Sequence, residues 1–357
     1  MAIQSPLKWA IIRDVNNLNA ITEEWAALNN AANHSTLFNS PHWLLAWTAQ
    51  YWQIEWQLLL VTARANGKLV VLAPLYIQPA NTIWGLKKLY PLGQGEPECS
   101  EVFTEYNDLL ILPEFQDRAL TELTKIVKKA QVDQLIWRAT LLESNINALL
   151  LNAYRYSPLA GATRYKVDGS NWTTEQLSKN MRSRYRRGLN QLDKLNAKIA
   201  WLKQSDFDHY WQLMKDLHQR RWQSRDKKGA FCTDEFNAFH ANFRKKSPEN
   251  VAMSVIWVND KPIAIHYYFS DAATLYFYQS GWNENEYSHL SPGLILHLWS
   301  IENSNKSSYD FMMGKKHDSY KAKFAPEQHP MYNNTITFSP IKLLIYRVLK
   351  KIRLISH

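Results

Sequence analysis

A serine, a proline and a glycine stand together at a predicted helix start in the C-terminal half of the chain. The segment reads Ser291-Pro292-Gly293-Leu294, and it follows a strand predicted at 274–279. The first turn of a helix offers backbone N–H groups and the positive end of the dipole, and glycine lets a ligand approach the backbone closely. The pattern therefore predicts an anion site, although serine followed by proline is also an ordinary helix start.

A second segment that can do chemistry follows the strand predicted at 309–313. It begins at Gly314 and runs to Phe324 through lysine, histidine, aspartate and tyrosine side chains, which bind anions or move protons. In this segment Tyr320 can deliver a proton to a leaving group, and Lys321 can stabilise developing negative charge. A solvated polar loop is the alternative interpretation.

Two further features have a functional and a structural interpretation. Arg220, Arg221 and Trp222 close a predicted helix at about 206–224, where arginine binds carboxylate or phosphate or simply complements the helix dipole. His266 lies within a predicted strand and is either a base that lines a cleft or a hydrogen-bonded core histidine. No HExxH, GxSxG, Walker or GxGxxG motif is present, and no histidine spacing predicts a metal site.

The two cysteines, Cys99 and Cys232, are too few for a disulfide framework or a four-thiolate zinc site, and we expect both to be reduced thiols. No stretch approaches about 18 uncharged apolar residues. The first residues also lack the build of a signal peptide. We therefore expect a cytosolic protein.

The net charge of +10 is concentrated in two segments. Residues 176–198 hold seven basic residues and one acidic residue, and the predicted helix there has an apolar stripe that would pack one face. Residues 339–357 hold five basic residues and no acidic one, mixed with Ile, Leu, Tyr and Val. The first patch is a solvated face or binds RNA, a glycan or a membrane. The second is an interfacial amphipathic helix or a terminal helix packed on its domain.

The elements that must position these residues follow from periodicity and turn residues. In the first half we predict strands near 7–13, 56–65, 68–78, 108–112 and 134–139, and helices from Asn16 or Asn17, from Ser40-Pro41 and over 114–130. The second half repeats this order with strands near 161–167, 197–203, 251–258, 262–270, 274–279 and 309–313, and helices near 174–195, 206–224, 233–246 and from Ser291. A chain of 357 residues exceeds one usual core, so two mixed α/β units in tandem are expected.

Several segments, in order, resemble the GNAT-type acetyltransferases related to the cellulose-biosynthesis protein CelD. They are residues 38–43, 69–75, 182–189, 220–222, 261–264, 291–293 and 309–314, followed by Tyr320-Lys321. That family is in turn similar to the FemABX aminoacyl-tRNA-dependent peptidyltransferases, which use two tandem GNAT-like domains. The resemblance implies a GNAT-like domain at 1–160, a second with the donor site at 161–338, and a basic amphipathic helix at 339–357.

The resemblance also assigns roles to residues. By position, Ser291–Leu294 would hold the pyrophosphate of acyl-CoA, with Gly314 also in the donor site, although the usual Q/R-x-x-G-x-G/A loop is reduced here to one glycine. Tyr320 would protonate the leaving thiolate and Lys321 would lie near the reacting acyl group. Substrate contacts are expected from Arg220, Arg221, Trp222 and Tyr278, and the backbone of Tyr278 or Gly281 would border the oxyanion. His266 is the candidate base.

The implied activity is direct attack of an amine on an acyl-CoA, without a metal, in which the acceptor is an amino sugar of envelope polysaccharide synthesis. Two alternatives remain at this point. One is aminoacyl transfer from tRNA, with the arginines at 182–187 on RNA phosphates. The other is a GNAT fold without activity that serves as an accessory subunit. The C-terminal helix adds an expected peripheral contact with anionic membrane.

Overall fold

The computed structural model describes residues 6–156, 158, 160–223, 226, 229–315 and 319–355, with the side chains of 353–355 left out. The chain divides into two compact units. The first contains Met1–Pro97, Glu101–Gly161 and Met331–His357, and the second contains Glu98–Ser100 and Ala162–Pro330. The sequence grouped residues up to 338 with the second domain, whereas the structure assigns residues from Met331 onward to the first unit.

The first unit begins as a mixed α/β structure. Its strands are β1 (Lys8–Ile12), β2 (Gln57–Ala65), β3 (Lys68–Gln78), β4 (Lys88–Pro91), β5 (Leu110–Ile111) and β6 (Gln134–Leu141), and its helices are α1 (Thr22–Ala31), α2 (Pro41–Tyr51), α3 (Gln116–Lys129) and α4 (Asn145–Tyr154). The turn between β2 and β3 has positive φ at both Asn66 and Gly67, which is the backbone that this residue pair favours in a hairpin.

The second unit repeats the mixed arrangement. Its strands are β7 (Ala160–Asp168), β8 (Lys198–Trp201), β9 (Val251–Val258), β10 (Lys261–Ser270), β11 (Thr274–Trp282) and β12 (Ser308–Gly314), and its helices are α5 (Lys179–Lys194), α6 (Phe207–Gln223), α7 (Asp234–Lys246), α8 (Glu284–Tyr287) and α9 (Pro292–Asn303). The strand order is β7-β12-β11-β10-β9-β8, in which β11 and β12 are parallel and the other neighbours are antiparallel.

The chain then returns to the first unit. Strand β13 (Glu327–Thr337) pairs with β6 from Met331 onward, and α10 (Pro340–Ile355) follows it. The strand order of the first unit is β1-β2-β3-β4-β6-β13. Within the described ranges, no helix combines the length and the apolar character that crossing a membrane requires.

The mixed α/β class predicted from the sequence is confirmed, and so is the apolar stripe of the basic helix. Tyr185 and Leu192 of α5 are buried in the core of the second unit together with Ile295 and Leu298 of α9. One face of α5 therefore packs on α9, and most of its basic side chains are exposed, namely Lys179, Arg184, Arg186, Arg187 and Lys194.

Several elements differ from the prediction, and two of them, strand β4 and helix α8, have no counterpart in it. The first helix does not begin at Asn16 or Asn17, because the Asp14 carboxylate accepts the Asn16 N–H at 3.0 Å and starts a 3-10 helix, so α1 begins only at Thr22. Helix α4 and strand β13 were likewise not predicted. Helix α4 depends on a distant group, since the buried Asp108 carboxylate accepts the N–H groups of Asn145 and Ile146 at 2.8 and 2.9 Å.

Candidate active site

The two parallel strands of the second unit separate after a short paired stretch. β11 and β12 pair only from Thr274 opposite Ser308 to Tyr276 opposite Asp310, although the strands continue to Trp282 and Gly314. A bulge in β12 follows Asp310 and places Met312 at a φ of 60°. Residues 277–282 therefore keep β10 as a neighbour on one edge and face a gap on the other, where backbone N–H groups can meet a ligand.

A cavity of about 270 Å³ lies beside this gap. Its walls come from α5, α6, β10, β11, α9 and the 3-10 helix Tyr320–Phe324. The lining residues are Met181, Arg184, Arg221, His266, Ser280, Trp282, Ser288, Ser291, Pro292, Gly293, Leu294, His297, Tyr320, Lys323 and Phe324. Residues predicted from four separate segments of the sequence thus share one cavity, namely Ser291–Leu294, Arg221, His266 and Tyr320.

The start of α9 presents its backbone to the cavity. Ser291 has a φ of 59° and its side chain does not cap the helix, so the N–H groups of Gly293 and Leu294 have no acceptor within the first turn. Arg184 donates from Nε to the Ser291 hydroxyl at 2.7 Å. A side chain at Gly293 would meet nothing within 4 Å, so the space in front of the backbone is open. The N-terminus of α9 and the Arg184 guanidinium together make this end of the cavity suited to a phosphate group.

Tyr320 lines this cavity. Its ring is 48% exposed and lies 6.0 Å from the His297 ring, centroid to centroid. Among the described residues, none makes a hydrogen bond to the hydroxyl. Burial by the cavity walls raises the pKa of Tyr320 to about 12, against the opposing effect of the nearby Arg221 guanidinium. The phenol is therefore neutral at pH 7 and carries a proton that it can donate.

Two buried histidines form the floor of the cavity. The rings of His266 and His297 lie 4.4 Å apart, and their Nδ1 atoms lie 3.1 Å from the Tyr268 hydroxyl and 2.7 Å from the Tyr309 hydroxyl. Burial lowers the pKa of His266 to about 3 and lowers that of His297 well below its usual value. Both imidazoles are neutral at physiological pH, so His266 has the form that a base needs but binds a proton weakly. Its role as the base stays a prediction.

Two other predicted residues, Lys321 and Gly314, are not among those that line the cavity. The Lys321 ammonium donates to the carbonyl oxygens of Phe311 and Met313 at 2.5 and 2.6 Å, which holds the bulge of β12. Gly314 packs against the Tyr165 ring, where a Cβ would come within 2.8 Å of a ring carbon. These contacts are structural, because the bulge turns successive carbonyl groups toward the lysine.

The remaining substrate-binding candidates are also not brought to the cavity. Tyr278 is buried against Phe236 and His240 on the α7 side of the sheet. Arg220 is exposed, and Trp222 packs on His218. Of the segment between Gly314 and Phe324, residues 316–318 lie outside the described residues.

Two lining residues with titratable side chains, His297 and Arg184, were not predicted as part of a site. His297 lies in the apolar run of α9, and the one signal for it is a titratable residue within a predicted buried helix face. Arg184 was assigned only to the general basic patch. Its contact with Ser291 joins segments 107 residues apart in sequence, which no local pattern reveals.

Comparison with known proteins agrees with this geometry. Residues 179–322 match the family described as "Acetyltransferase (GNAT) domain", a range that contains most of the cavity lining. Among curated proteins, none matches the sequence significantly.

Several solved structures share the fold over nearly the whole chain. FemX is 10% identical and covers 91% of this chain and 98% of its own, with a TM-score of 0.63. L-PGS from Bacillus licheniformis is 12% identical and covers 97% and 98%, with a TM-score of 0.54. The C-terminal domain of a putative lysylphosphatidylglycerol synthetase from Agrobacterium fabrum is 10% identical and covers 92% and 95%, with a TM-score of 0.55. At such identities the likeness concerns the fold. Residues 179–322 of the second unit are therefore similar to a GNAT acetyltransferase domain, and the chain shares its fold with FemX.

Proposed function

We propose that the protein is an N-acyltransferase that moves an acyl group, acetyl in the simplest case, from acyl-CoA to an amine. One observation carries the proposal. The gap between β11 and β12, the start of α9 and the Tyr320 phenol all border one cavity. A thioester in the gap would thus have backbone donors on one side, a phosphate site at one end and a proton donor in the same cavity.

The residues present suit acyl-CoA. The N–H groups of Gly293 and Leu294, together with Arg184, would bind the pyrophosphate, and the open space at Gly293 leaves room for it. The pantetheine arm would extend along the exposed edge of β11, since an amide-bearing chain can take the hydrogen bonds that β12 leaves unmade beyond Tyr276.

The chemistry would proceed by direct attack. A neutral amine adds to the thioester carbonyl, and the oxyanion receives N–H groups from residues 277–282. The C–S bond then breaks, and Tyr320 donates its proton to the departing thiolate. His266 would take the proton from the amine. Because its pKa is about 3, the imidazole would not keep that proton, which would pass on to the Tyr320 oxygen and restore the phenol that the departing thiolate deprotonated.

For the acceptor we propose an amino sugar of envelope polysaccharide synthesis. The support is the resemblance to CelD-related acetyltransferases and the presence of Arg221 and Lys323 at the cavity. Two cations beside the reacting group favour an acceptor with anionic or hydroxyl-rich neighbours to its amine.

A second candidate is transfer of an aminoacyl group from tRNA. It is favoured by the exposed cations Lys179, Arg186 and Arg187 on α5, which borders the same cavity and could contact RNA phosphates. The fold shared with FemX is compatible with it. In this alternative the leaving group is a ribose hydroxyl, and Tyr320 keeps its role.

A thermal-shift experiment on the full chain separates the candidates. Acetyl-CoA, CoA and aminoacyl-tRNA are each added at one common concentration. A ligand that binds only the folded state stabilises it by about 2.7 kcal/mol where that concentration is about 100 times its Kd. We expect CoA and acetyl-CoA to raise the melting temperature and aminoacyl-tRNA to have no effect. Stabilisation by tRNA alone would support the second candidate, and stabilisation by none of the three would refute both.

A single substitution tests whether the acyl donor binds in the cavity. Gly293→Asp puts a negative charge where we place the pyrophosphate, and it has open space to occupy. We expect calorimetry to show at least about a tenfold loss of CoA affinity. Two like charges about 4 Å apart near a protein surface repel by about 4 kcal/mol, and about 1.4 kcal/mol is enough for a tenfold loss. Gln204→Glu, an exposed position elsewhere in the second unit, is the matched control and should bind CoA normally.

A further inference from the structure

The outer face of α10 carries an apolar stripe that no part of the described chain covers. Ile341 is 75% exposed, Leu344 64%, Val348 49% and Ile352 56%. Their spacing of three, four and four residues puts them on one side of the helix. A stripe of this size left open to water is unusual for a helix that only packs on its own domain.

The opposite face attaches α10 to the first unit. Leu343, Ile345 and Tyr346 are half-buried, and the Lys342 ammonium lies 2.7 Å from an oxygen of Asp133. The helix is therefore anchored by one face, and the exposed stripe points away from the unit.

The charges beside the stripe are of one sign. Arg347, Lys350 and Lys351 are exposed, and residues 339–357 contain no acidic side chain. Lys350 is close enough to Lys88 of β4 that its charge, added to the larger effect of burial, lowers the pKa of Lys88. Cations that repel one another in this way gain stability from an external anion.

A second exposed apolar segment lies at the same edge of the first unit. The loop before β4 carries Ile83 and Trp84, 84% and 47% exposed. The N–H of Lys87, at the end of this loop, donates at 2.8 Å to the same Asp133 oxygen that binds Lys342. The loop and the start of α10 therefore meet at one carboxylate, and tryptophan is a side chain that favours the membrane–water interface.

We propose that the α10 surface binds a bilayer that contains anionic lipids. The α10 surface is defined as Ile341, Leu344, Arg347, Val348, Lys350, Lys351 and Ile352 of the helix, with Ile83 and Trp84 of the loop. The stripe enters the apolar side of the headgroup region while the cations meet lipid phosphates. A second copy fits this surface less well, because it would bring like charges together. RNA would use the cations and leave the apolar stripe in water.

Vesicle co-sedimentation tests the proposal with the full chain. We expect binding to vesicles of phosphatidylcholine with 30 mol% phosphatidylglycerol, about 30 mol% being enough to give a negative surface potential, and weak binding to phosphatidylcholine alone. Raising the salt to about 0.5 M should weaken the binding, because a shorter Debye length screens the phosphates. No association with the anionic vesicles would overturn the proposal.

Two variants and a control separate the lipid surface from its alternatives. Arg347→Gln/Lys350→Gln/Lys351→Gln should weaken vesicle binding about 100-fold, since each cation near an anionic surface contributes about fivefold. Leu344→Ser/Val348→Ser should weaken it about tenfold or more through lost apolar burial. Ile54→Ser, at a position 98% exposed elsewhere in the first unit, should leave it unchanged.

The alternatives give different results. If the apolar variant binds vesicles as well as the wild type, and the charge variant instead loses RNA binding, the surface is an RNA site and the proposal fails. If sedimentation velocity shows a dimer that the apolar variant dissociates while vesicle binding is unaffected, the occupant is a second copy and the proposal also fails. Because α10 belongs to the first unit and the cavity to the second, these results leave the proposed acyl transfer untested, and a failure of either proposal can be distinguished from the other.

Discussion

The replacement Tyr320→Phe tests whether the phenol donates a proton or only packs. The ring contacts made with His297 and Phe324 are retained by phenylalanine, and only the hydroxyl is lost. Since no described residue makes a hydrogen bond to that hydroxyl, the free energy of unfolding should change by less than about 0.5 kcal/mol.

The expected effect on catalysis is much larger. Proton donation to a leaving group contributes about 10²–10⁴ in rate, which corresponds to about 2.7–5.5 kcal/mol of barrier. The pKa of about 12 keeps the phenol protonated over the whole range in which the assay is run. We therefore expect kcat to fall at least about 100-fold. The Kd for CoA should remain as in the wild type, because the phenol acts on the leaving sulfur and not on the pyrophosphate.

Tyr309→Phe is the matched control for a tyrosine hydroxyl with a structural role. Its hydroxyl lies 2.7 Å from Nδ1 of the buried His297, so its removal should cost about 1–3 kcal/mol of stability by leaving a buried polar atom unsatisfied. The assay follows release of the CoA thiol from acetyl-CoA in the presence of amino-sugar acceptors, together with urea unfolding of each variant. A Tyr320→Phe variant that loses stability while kcat per folded molecule is unchanged would refute the reasoning and make Tyr320 a structural residue.

Three further predictions concern residues in and next to the site. Gly281→Ala should lower the free energy of unfolding in urea by about 1–3 kcal/mol, because the Cβ of the new alanine would lie 2.3 Å from the Met214 carbonyl oxygen. Gly293→Ala should leave that free energy unchanged. Equal stability of the two variants would contradict the close packing of α6 on β11. Lys321→Met should lower the free energy of unfolding by about 2 kcal/mol, because the bulge of β12 loses a charged donor to two carbonyl groups. An unchanged free energy of unfolding would show that the bulge does not need the ammonium group. His266 has a pKa near 3 in the fold and about 6.5 in the unfolded chain, so the unfolded chain binds a proton first as the pH falls. This histidine therefore leaves the free energy of unfolding unchanged above about pH 6.5 and lowers it progressively as the pH falls toward 3. His266→Phe should remove about 1.4 kcal/mol per pH unit from the pH dependence of unfolding between pH 6 and 4, and identical slopes would place that dependence elsewhere.

Elements whose ends are determined by neighbouring residues, such as a turn pair or a helix cap, were predicted from the sequence. Asn66-Gly67 defines a hairpin because both residues accept positive φ, and Ser40 caps α2 by accepting the Trp43 N–H at 3.3 Å. Helix α4 was missed because part of its start is held by Asp108, far away in sequence. Strand β13 was missed because it carries a proline and two adjacent asparagines, residues that are uncommon in strands.

The candidate site could be predicted only where neighbouring residues form a recognisable pattern. Ser291–Leu294 carries a helix-start pattern, and the structure places it at the cavity together with His266 and Tyr320. Lys321 was expected beside the reacting group, yet its ammonium contacts the carbonyl groups of a bulge, and bulges leave little trace in sequence. His297 was hidden in an apolar run, because a buried histidine with a tyrosine partner resembles core packing at the level of sequence.

Hydrogen exchange of the full chain with and without CoA tests the central claim most directly, because it locates the donor without any substitution. Amides at 277–282 and at 293–296 line the strand gap and the first turn of α9, where we place the pantetheine arm and the pyrophosphate. We predict that saturating CoA slows exchange in both segments and leaves the strands of the first unit unchanged. Protection confined to the first unit, or absent from both segments while CoA is bound, would contradict the account.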